Sequence, residues 1–277
     1  MIKHQFTAYF ISIHHKISRM DIDLKGAFWG PLFFLSLFFT SCNAYCEIKL
    51  ALIDTGFCPG KIAAKKKITI ENMIDLTSSV KIDCQKYDSR DGRFHGQLVL
   101  EEFLKFYNPK NEILHIYPLI IFNSAGEQKI DYWLKSIDWV KKEKIDIVLT
   151  AAGFMGTEKI SNSLPAIWFV PSGRITPKVL GIGSLFPQSL APLKNLFLIG
   201  DFYDGRQVLY DQGLLYKEFI DYYFPSGAGH FTGTSRAVAE ACAKAISLCP
   251  IKTMRECLLK SSKVYIDNLS HNTIRTF

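Results

Sequence analysis

One stretch of the chain decides its fold: Ser226-Gly-Ala-Gly-His-Phe-Thr-Gly-Thr-Ser-Arg-Ala-Val-Ala-Glu-Ala-Cys-Ala-Lys-Ala-Ile-Ser-Leu248. Its first part contains three glycines, which permit backbone angles that side chains forbid: Gly227, Gly229 and Gly233. Its second part places small residues at fourfold spacing, on one face of a helix: Ala237, Ala241 and Ala245. The stretch therefore predicts a glycine-rich loop that opens into a buried helix lying close against a sheet.

Ser235 falls at or near the first turn of this helix. A serine there can cap the helix by accepting a hydrogen bond from a backbone N–H. Alternatively, its hydroxyl can point into a cleft as a nucleophile, where the positive end of the helix dipole favours developing negative charge. The triplet Gly233-Thr-Ser235 does not decide between these roles, so other stretches must do so.

Length and composition describe a globular chain. It has 277 residues, of which 48% are hydrophobic and 21% charged, enough for one large domain or two small ones. The formal net charge is +7, but the basic residues are scattered and do not follow one periodic face. We therefore expect no nucleic-acid partner.

Residues 1–44 are predicted to be a targeting segment. Basic residues precede an apolar run, Ala27 to Thr40, that is short for a membrane span and is followed at once by small residues. Met20 is a plausible start for such a signal. Cleavage after Ala44 gives a secreted or periplasmic protein, whereas lipidation of Cys42, in a sequence resembling a bacterial lipoprotein box, would anchor it to a membrane. Either way the chain is expected to be exported.

Export changes how the cysteines are interpreted. Of seven cysteines, six follow Ala44, and an even number in an oxidising compartment favours disulfides whose pairing the sequence leaves open. No Cys-x-x-Cys pair occurs and zinc-type spacing is absent, so no metal site is expected. A terminal helix is expected over Met254 to Lys263, held by Cys249 or Cys257.

Apolar runs and helical patterns alternate along the rest of the chain. Ile48 to Ile53 is almost wholly apolar, as expected of a central parallel strand buried on both faces. Further strands are predicted at 113–121, 145–150, 166–170, 179–183 and 196–199, with an amphipathic helix at 130–144 whose inward residues are Trp133, Leu134, Ile137 and Val140. The pattern predicts an α/β fold, a doubly wound and mainly parallel sheet flanked by helices.

Two polar residues stand at the ends of these elements. Asp54 directly follows the first strand, and the carboxyl edge of an open α/β sheet is where such folds place their sites. His95 begins a helical pattern over residues 95–107. Taken singly, Asp54 in Asp54-Thr-Gly56 is more typical of a turn, and His95 of an exposed helix start.

Together, three blocks resemble the signature motifs of subtilisin-like serine proteases. They are Ala51-Leu-Ile-Asp-Thr-Gly56, His95-Gly96 and Gly233-Thr-Ser-Arg-Ala237, in the order Asp, His, Ser that this family uses. The similarity covers roughly residues 46–250. The histidine block departs from the family after Gly96, continuing Gln97-Leu-Val-Leu-Glu101, and Ala239 stands where a proline is common.

The resemblance implies a subtilisin-like peptidase domain over residues 45–277 that needs no cofactor. Its catalytic residues would be Asp54, His95 and Ser235. A serine hydroxyl is too weakly acidic to attack an amide alone, so a neutral imidazole must accept its proton, and a carboxylate must orient that imidazole and offset its charge. The partner would be a protein or peptide substrate, with membrane contact only through the signal peptide or a lipid on Cys42.

The resemblance also implies how a substrate would bind. Two segments are similar to those that form the walls of the family's primary specificity pocket: Ala151-Ala152-Gly153 and Pro171-Ser172-Gly173. Arg174 stands where the family has an asparagine that donates to the oxyanion. Arginine is also a donor and can serve that role, but it can equally turn to solvent or pair with an acid. Asn162 and Asn195 are alternatives in poorer contexts.

Two functions from different classes follow. The first is an exported serine endopeptidase that works through an acyl-enzyme. The second is a protease-like fold that has lost efficient catalysis and serves as a binding or regulatory module. The complete set of reacting groups favours the first function, and Arg174 with the altered histidine block favours the second.

Overall fold

The computed structural model describes residues 46–63, 65–156, 161–174, 184–202, 214–266 and 273–277. The predicted targeting segment with Met20, Cys42 and Ala44 lies outside these residues, as does the strand expected at 179–183. The chain from Tyr45 to Phe277 forms one compact unit. In the described ranges no helix is both long and apolar enough to cross a membrane.

Twelve strands and four α-helices occur in the described residues. The strands are β1 Cys46–Asp54, β2 Ile68–Ile70, β3 Ile74–Asp75, β4 Glu112–Ile120, β5 Ile147–Thr150, β6 Phe154–Gly156, β7 Ile167–Pro171, β8 Ser184–Phe186, β9 Leu196–Phe202, β10 Tyr222–Pro225, β11 Lys263–Ile266 and β12 Thr273–Thr276. The helices are α1 His95–Phe106, α2 Ile130–Lys142, α3 Thr234–Leu248 and α4 Met254–Ser261.

Eight of the described strands form one sheet, in which every pair is parallel. The order across it is β10-β9-β7-β5-β1-β4-β2, and β3 also pairs with β4. β1 lies between β4 and β5, with Asp54 opposite Ile120 and Ile53 opposite Thr150. Because all these strands run the same way, their carboxyl ends share one edge. The predicted α/β architecture is confirmed.

Strand β1 is buried on both faces, as its apolar sequence predicts. Leu50 and Leu52 pack in the cluster that contains residues of α1 and α3, whereas Ala51 and Ile53 pack with residues of α2. Alternate side chains of a strand point to opposite faces, so helices cover both sides of the sheet. This is the doubly wound arrangement expected from the order of elements.

Helix α2 corrects one prediction. Trp133 and Val140 are buried as expected, but Leu134 is 40% exposed. The buried face is completed by Ser136, which lies at helical spacing from both Trp133 and Val140 and donates a hydrogen bond to the Trp133 carbonyl at 2.7 Å. Leu134 lies one residue away from that face, so it points toward solvent.

Helix α3 occupies the position predicted for the alanine-rich run. Ala237, Ala241 and Ala245 have no exposed surface, and the helix packs on α1, β7, β9 and β10. The three glycines of the preceding loop all have positive φ. Gly233 is the N-cap residue with φ +84°, a conformation that other residues rarely adopt. The loop-to-helix transition was therefore correctly predicted from glycine and alanine placement.

Two disulfides brace the described chain. Cys58 pairs with Cys84 and holds the long segment between β1 and α1, while Cys249 pairs with Cys257 and ties the start of α4 to the end of α3. Cys242 is a free thiol buried on α3, and burial raises its pKa well above the ordinary value. The disulfide expectation is confirmed for these two pairs and is wrong for Cys242.

The tight packing of α3 gives a stability prediction. We expect Ala241→Leu to lower the free energy of unfolding by roughly 1–3 kcal/mol, because three added carbons must enter a close-packed interface. Urea denaturation measures this change. Leu248→Ala is the matched control on the same helix: its side chain is 47% exposed, so we expect a change within about 0.5 kcal/mol. A fully tolerated Ala241→Leu would show that α3 does not lie close to the sheet.

Candidate active site

Asp54 is the last residue of the central strand, and its carboxylate is completely buried. Its Oδ1 accepts a hydrogen bond from the Thr55 amide at 2.7 Å and lies 2.9 Å from Nδ1 of His95. The strand positions Asp54 rigidly because β4 and β5 flank it on both sides. A buried carboxylate is stable only when it is hydrogen-bonded or paired, and here both kinds of partner are present.

His95 reaches Asp54 because the long segment between β1 and α1 returns to the carboxyl edge of the sheet. The Gly56 amide donates to the Arg93 carbonyl at 2.8 Å, and the Gly96 amide donates to Thr55 Oγ1 at 3.0 Å. A Cβ at position 96 would lie 2.7 Å from the Phe57 ring and 3.0 Å from Asp54 Cβ. Glycine after the histidine is thus required for the close approach, which explains the His95-Gly96 pair.

The Asp54–His95 contact sets the chemistry of the imidazole. Burial acts to lower the pKa of His95, but the charge and the hydrogen bond of Asp54 act in the opposite direction, and the pKa lies above its ordinary value. A carboxylate only accepts hydrogen bonds, so Nδ1 carries a proton when it bonds Asp54. In the neutral ring Nε2 is then the basic nitrogen, as a general base requires.

Ser235 is the second residue of α3, and this helix packs against α1, whose first residue is His95. Phe231, four residues earlier, places its ring 5.6 Å from the His95 ring in an edge-on contact. The N-cap residue is Gly233, with no side-chain capping bond, so the capping role considered for Ser235 is wrong. Within the described ranges no hydrogen bond joins Ser235 to His95.

The three predicted catalytic residues therefore stand in two groups. Asp54 and His95 are in direct contact. Ser235 lies at the N-terminus of the neighbouring helix, partly exposed. The hydrogen bond between a nucleophile and its general base is often long in unliganded enzymes and tightens when substrate binds.

The two predicted pocket walls follow adjacent parallel strands. Residues 151–153 directly follow β5, and residues 171–173 begin at the last residue of β7; these two strands pair directly. Thr150 links the first wall to the Asp54 strand, since its Oγ1 donates to the Ile53 carbonyl at 2.9 Å and accepts from the Ala152 amide at 3.2 Å. In the second wall, the buried Ser172 donates its amide to the Ile199 carbonyl at 2.8 Å.

Arg174 pairs with an acid, one of the alternatives that the sequence leaves open. Its Nη2 lies 2.5 Å from Oδ2 of Asp201, a carboxylate near the end of β9 that has no exposed surface. The same oxygen lies 4.0 Å from the position of a Cβ at Gly233, so the guanidinium sits beside the loop that leads into Ser235. Burial raises the pKa of Asp201 despite the opposing effect of Arg174.

Sequence reasoning missed Asp201. The signal was present, because Gly200-Asp201 directly follows the apolar run 196–199 just as Asp54 follows its own run. Asn195, considered as an alternative oxyanion donor, uses its amide group otherwise: Nδ2 donates to the Leu164 and Ala166 carbonyls, both at 2.7 Å. Asn162 is exposed.

A cavity of about 690 Å³ is lined in part by Thr55 and Phe94, the chain neighbours of Asp54 and His95. Thr55 and Gly56 line one side of it, and residues 92–94 and 122–126 line others. Its rim carries both signs of charge, including Lys81, Asp83 and Lys86. The residues after β4 and before α1 thus form a recess that the motifs did not reveal.

No protein-family model matches the chain, and a search of curated proteins finds no match. Among the described residues, no group of three His, Cys, Asp or Glu side chains is placed to hold a metal ion.

The shift of the His95 pKa yields a direct test. We expect Asp54→Asn to bring the His95 pKa below its ordinary value of about 6.5, because burial then acts without the opposing carboxylate. An NMR titration of the imidazole signals measures it. Glu71→Gln is the control, since Glu71 Oε1 lies 2.9 Å from Nδ1 of a different histidine, His115, and should leave the His95 pKa unchanged. An unchanged His95 pKa in Asp54→Asn would refute the pairing.

Proposed function

We propose that this chain is an exported, subtilisin-like serine endopeptidase that hydrolyses protein or peptide substrates through an acyl-enzyme on Ser235. The observation that carries the proposal is the Asp54–His95 contact of 2.9 Å between residues 41 positions apart. It lies at the carboxyl edge of a parallel sheet, beside the helix that begins at Thr234. An acid, a base and an alcohol at one edge are the groups that acyl transfer needs.

The reaction assigns one role to each group. Nε2 of His95 takes the Ser235 hydroxyl proton as Oγ attacks the carbonyl carbon of the scissile bond, and Asp54 holds the imidazole and offsets the positive charge it gains. The tetrahedral intermediate collapses as His95 gives that proton to the leaving amine. Water, activated by the same imidazole, then hydrolyses the ester and restores the serine.

Stabilisation of the oxyanion is assigned to Arg174 and to the N-terminus of α3. The guanidinium pairs with Asp201, whose Oδ2 lies 4.0 Å from the position of a Cβ at Gly233, the N-cap residue of α3, and a charged N–H donor in this region would stabilise an oxyanion. Backbone N–H groups of the first turn of α3, to which Ser235 belongs, favour negative charge near the helix N-terminus.

Export is supported by the two disulfides, because such bonds persist mainly in oxidising compartments. We propose a secreted or periplasmic protein, released by cleavage after Ala44 or anchored by a lipid on Cys42.

A second candidate function is a catalytically impaired fold that binds or regulates other proteins. Two observations favour it: Ser235 has no hydrogen bond to His95 among the described residues, and Arg174 is engaged by a buried acid. Both functions use the same surface, and the reactivity of Ser235 distinguishes them.

Labelling by a fluorophosphonate probe makes that distinction. We expect a covalent adduct on Ser235, located by peptide mass spectrometry, at a rate that rises with pH as His95 loses its proton. Because the His95 pKa is raised, the midpoint lies above that of an ordinary histidine. Asp54→Asn should slow labelling by a factor on the order of 10⁴.

Ser247→Ala is the matched control, since Ser247 lies on the same helix but bonds the Ala243 carbonyl. It should label normally, whereas Ser235→Ala should not label. Folded protein that gives no adduct on Ser235 would exclude the peptidase and leave the binding module.

The role of Arg174 is tested separately. We expect Arg174→Ala to slow Ser235 acylation by about 100- to 1000-fold, the effect of losing one oxyanion donor. Removing the arginine also leaves Asp201 buried and unpaired, which by itself destabilises a protein. The double variant Arg174→Ala, Asp201→Asn removes that charge without restoring the donor. Normal acylation in this folded double variant would show that Arg174 takes no part in catalysis.

A further inference from the structure

The two predicted pocket walls are bridged by a side chain of the protein itself. A Cβ at Gly153, in the first wall, would lie 2.8 Å from Cδ1 of Leu185. A Cβ at Gly173, in the second wall, would lie 3.3 Å from Cδ2 of the same leucine. The two methyl groups of Leu185 thus contact both walls, and the space between the walls at this level is filled.

Leu185 is held firmly in that position. It is the middle residue of β8, which pairs antiparallel with β6 so that Leu185 lies opposite Met155. Its amide donates a hydrogen bond to the Tyr216 hydroxyl oxygen at 2.9 Å, and the next residue, Phe186, packs edge-on against Trp133 with ring centres 5.5 Å apart. These contacts fix the backbone of Leu185, and with it the place from which the leucine side chain extends between the walls.

Glutamine side chains brace the first wall as well. Gln188 Nε2 donates to the Ala152 carbonyl at 3.3 Å, and Gln128 Nε2 donates to the Gly153 carbonyl at 3.0 Å. The wall is therefore tied both to the segment after β8 and to the loop before α2. These two hydrogen bonds hold the first wall in place beside Leu185.

We propose that Leu185 closes the pocket and restricts it to small side chains, such as those of glycine or alanine, on the substrate residue that precedes the scissile bond. The inference rests on the proposed function, which defines the residue that enters between the two walls. An aromatic or long aliphatic side chain would overlap the Leu185 methyl groups, which fill the space between Gly153 and Gly173.

The experiment has two arms, so that failure of this inference is separated from failure of the peptidase. In the first, tetrapeptide amides ending in alanine or phenylalanine bind the full chain carrying Ser235→Ala, which needs no catalysis, and fluorescence anisotropy measures affinity. In the second, peptidyl diphenyl phosphonates with the same two side chains react with Ser235 of the full chain, with and without Leu185→Ala.

In the binding arm we expect the alanine peptide to bind at least about tenfold more tightly than the phenylalanine peptide, and Leu185→Ala, added to Ser235→Ala, to reverse that order. Leu185→Gly should give the same reversal if the alanine variant folds poorly, and thermal denaturation identifies the folded variants. Met155→Ala is the matched control, because Met155 is opposite Leu185 in the strand pair and 40% exposed. It should keep the preference for alanine.

The possible results distinguish the role of Leu185 from the peptidase activity. A preference for phenylalanine in the unmodified pocket, an order that Leu185→Ala leaves unchanged, or no binding of either peptide to any variant overturns the assignment of Leu185. Reversal of affinity without any phosphonate adduct supports the role of Leu185 and refutes the peptidase. Reversal in both arms supports both proposals.

Discussion

A buried carboxylate at the end of the central strand is the constraint on which the rest of the site depends. Asp54 has no exposed surface, and a charge in such a place must be hydrogen-bonded or paired. The Thr55 amide and the His95 imidazole both hydrogen-bond to the same carboxylate oxygen, Oδ1 of Asp54. The chain between β1 and α1 must therefore return to this edge, and the Gly56–Arg93 backbone bond and the Cys58–Cys84 disulfide hold it there.

The architecture was largely predictable because it depends on local patterns. The apolar run at 48–53 predicts a buried strand. The alanines at fourfold spacing predict the buried helix α3, and the glycines before them predict the loop that leads into it. Short strands were missed, including β2 and β10, because three or four residues give too little periodicity. Leu134 was misassigned because a helical pattern leaves the edge of its buried face uncertain by one residue.

The site was predictable only in part, since its contacts join residues far apart in the chain. The motif blocks pointed to Asp54, His95 and Ser235, and the structure brings the first two together. No pattern revealed that Arg174 meets Asp201 or that Leu185 lies between Gly153 and Gly173. Such contacts depend on how loops after neighbouring strands fold over the sheet edge, which sequence spacing does not record.

These features together describe a narrow site in which the sheet edge is rigid. Wall residues are tied to neighbouring strands and to glutamine side chains, and the guanidinium is fixed by a buried acid. This rigidity is the basis of our proposal that the site selects small side chains. The two proposed functions, hydrolysis and binding, use the same site. They differ in whether the His95 imidazole contacts the Ser235 hydroxyl.

That contact is the central claim, and its length can be measured in a crystal structure of the chain with a peptidyl boronate that ends in alanine. The account predicts a tetrahedral boron bonded to Ser235 Oγ, with His95 Nε2 within about 3.2 Å of Oγ or of a boronate oxygen, and His95 Nδ1 still bonded to Asp54. A boronate that leaves Ser235 unmodified, with His95 turned away from it, would contradict the account.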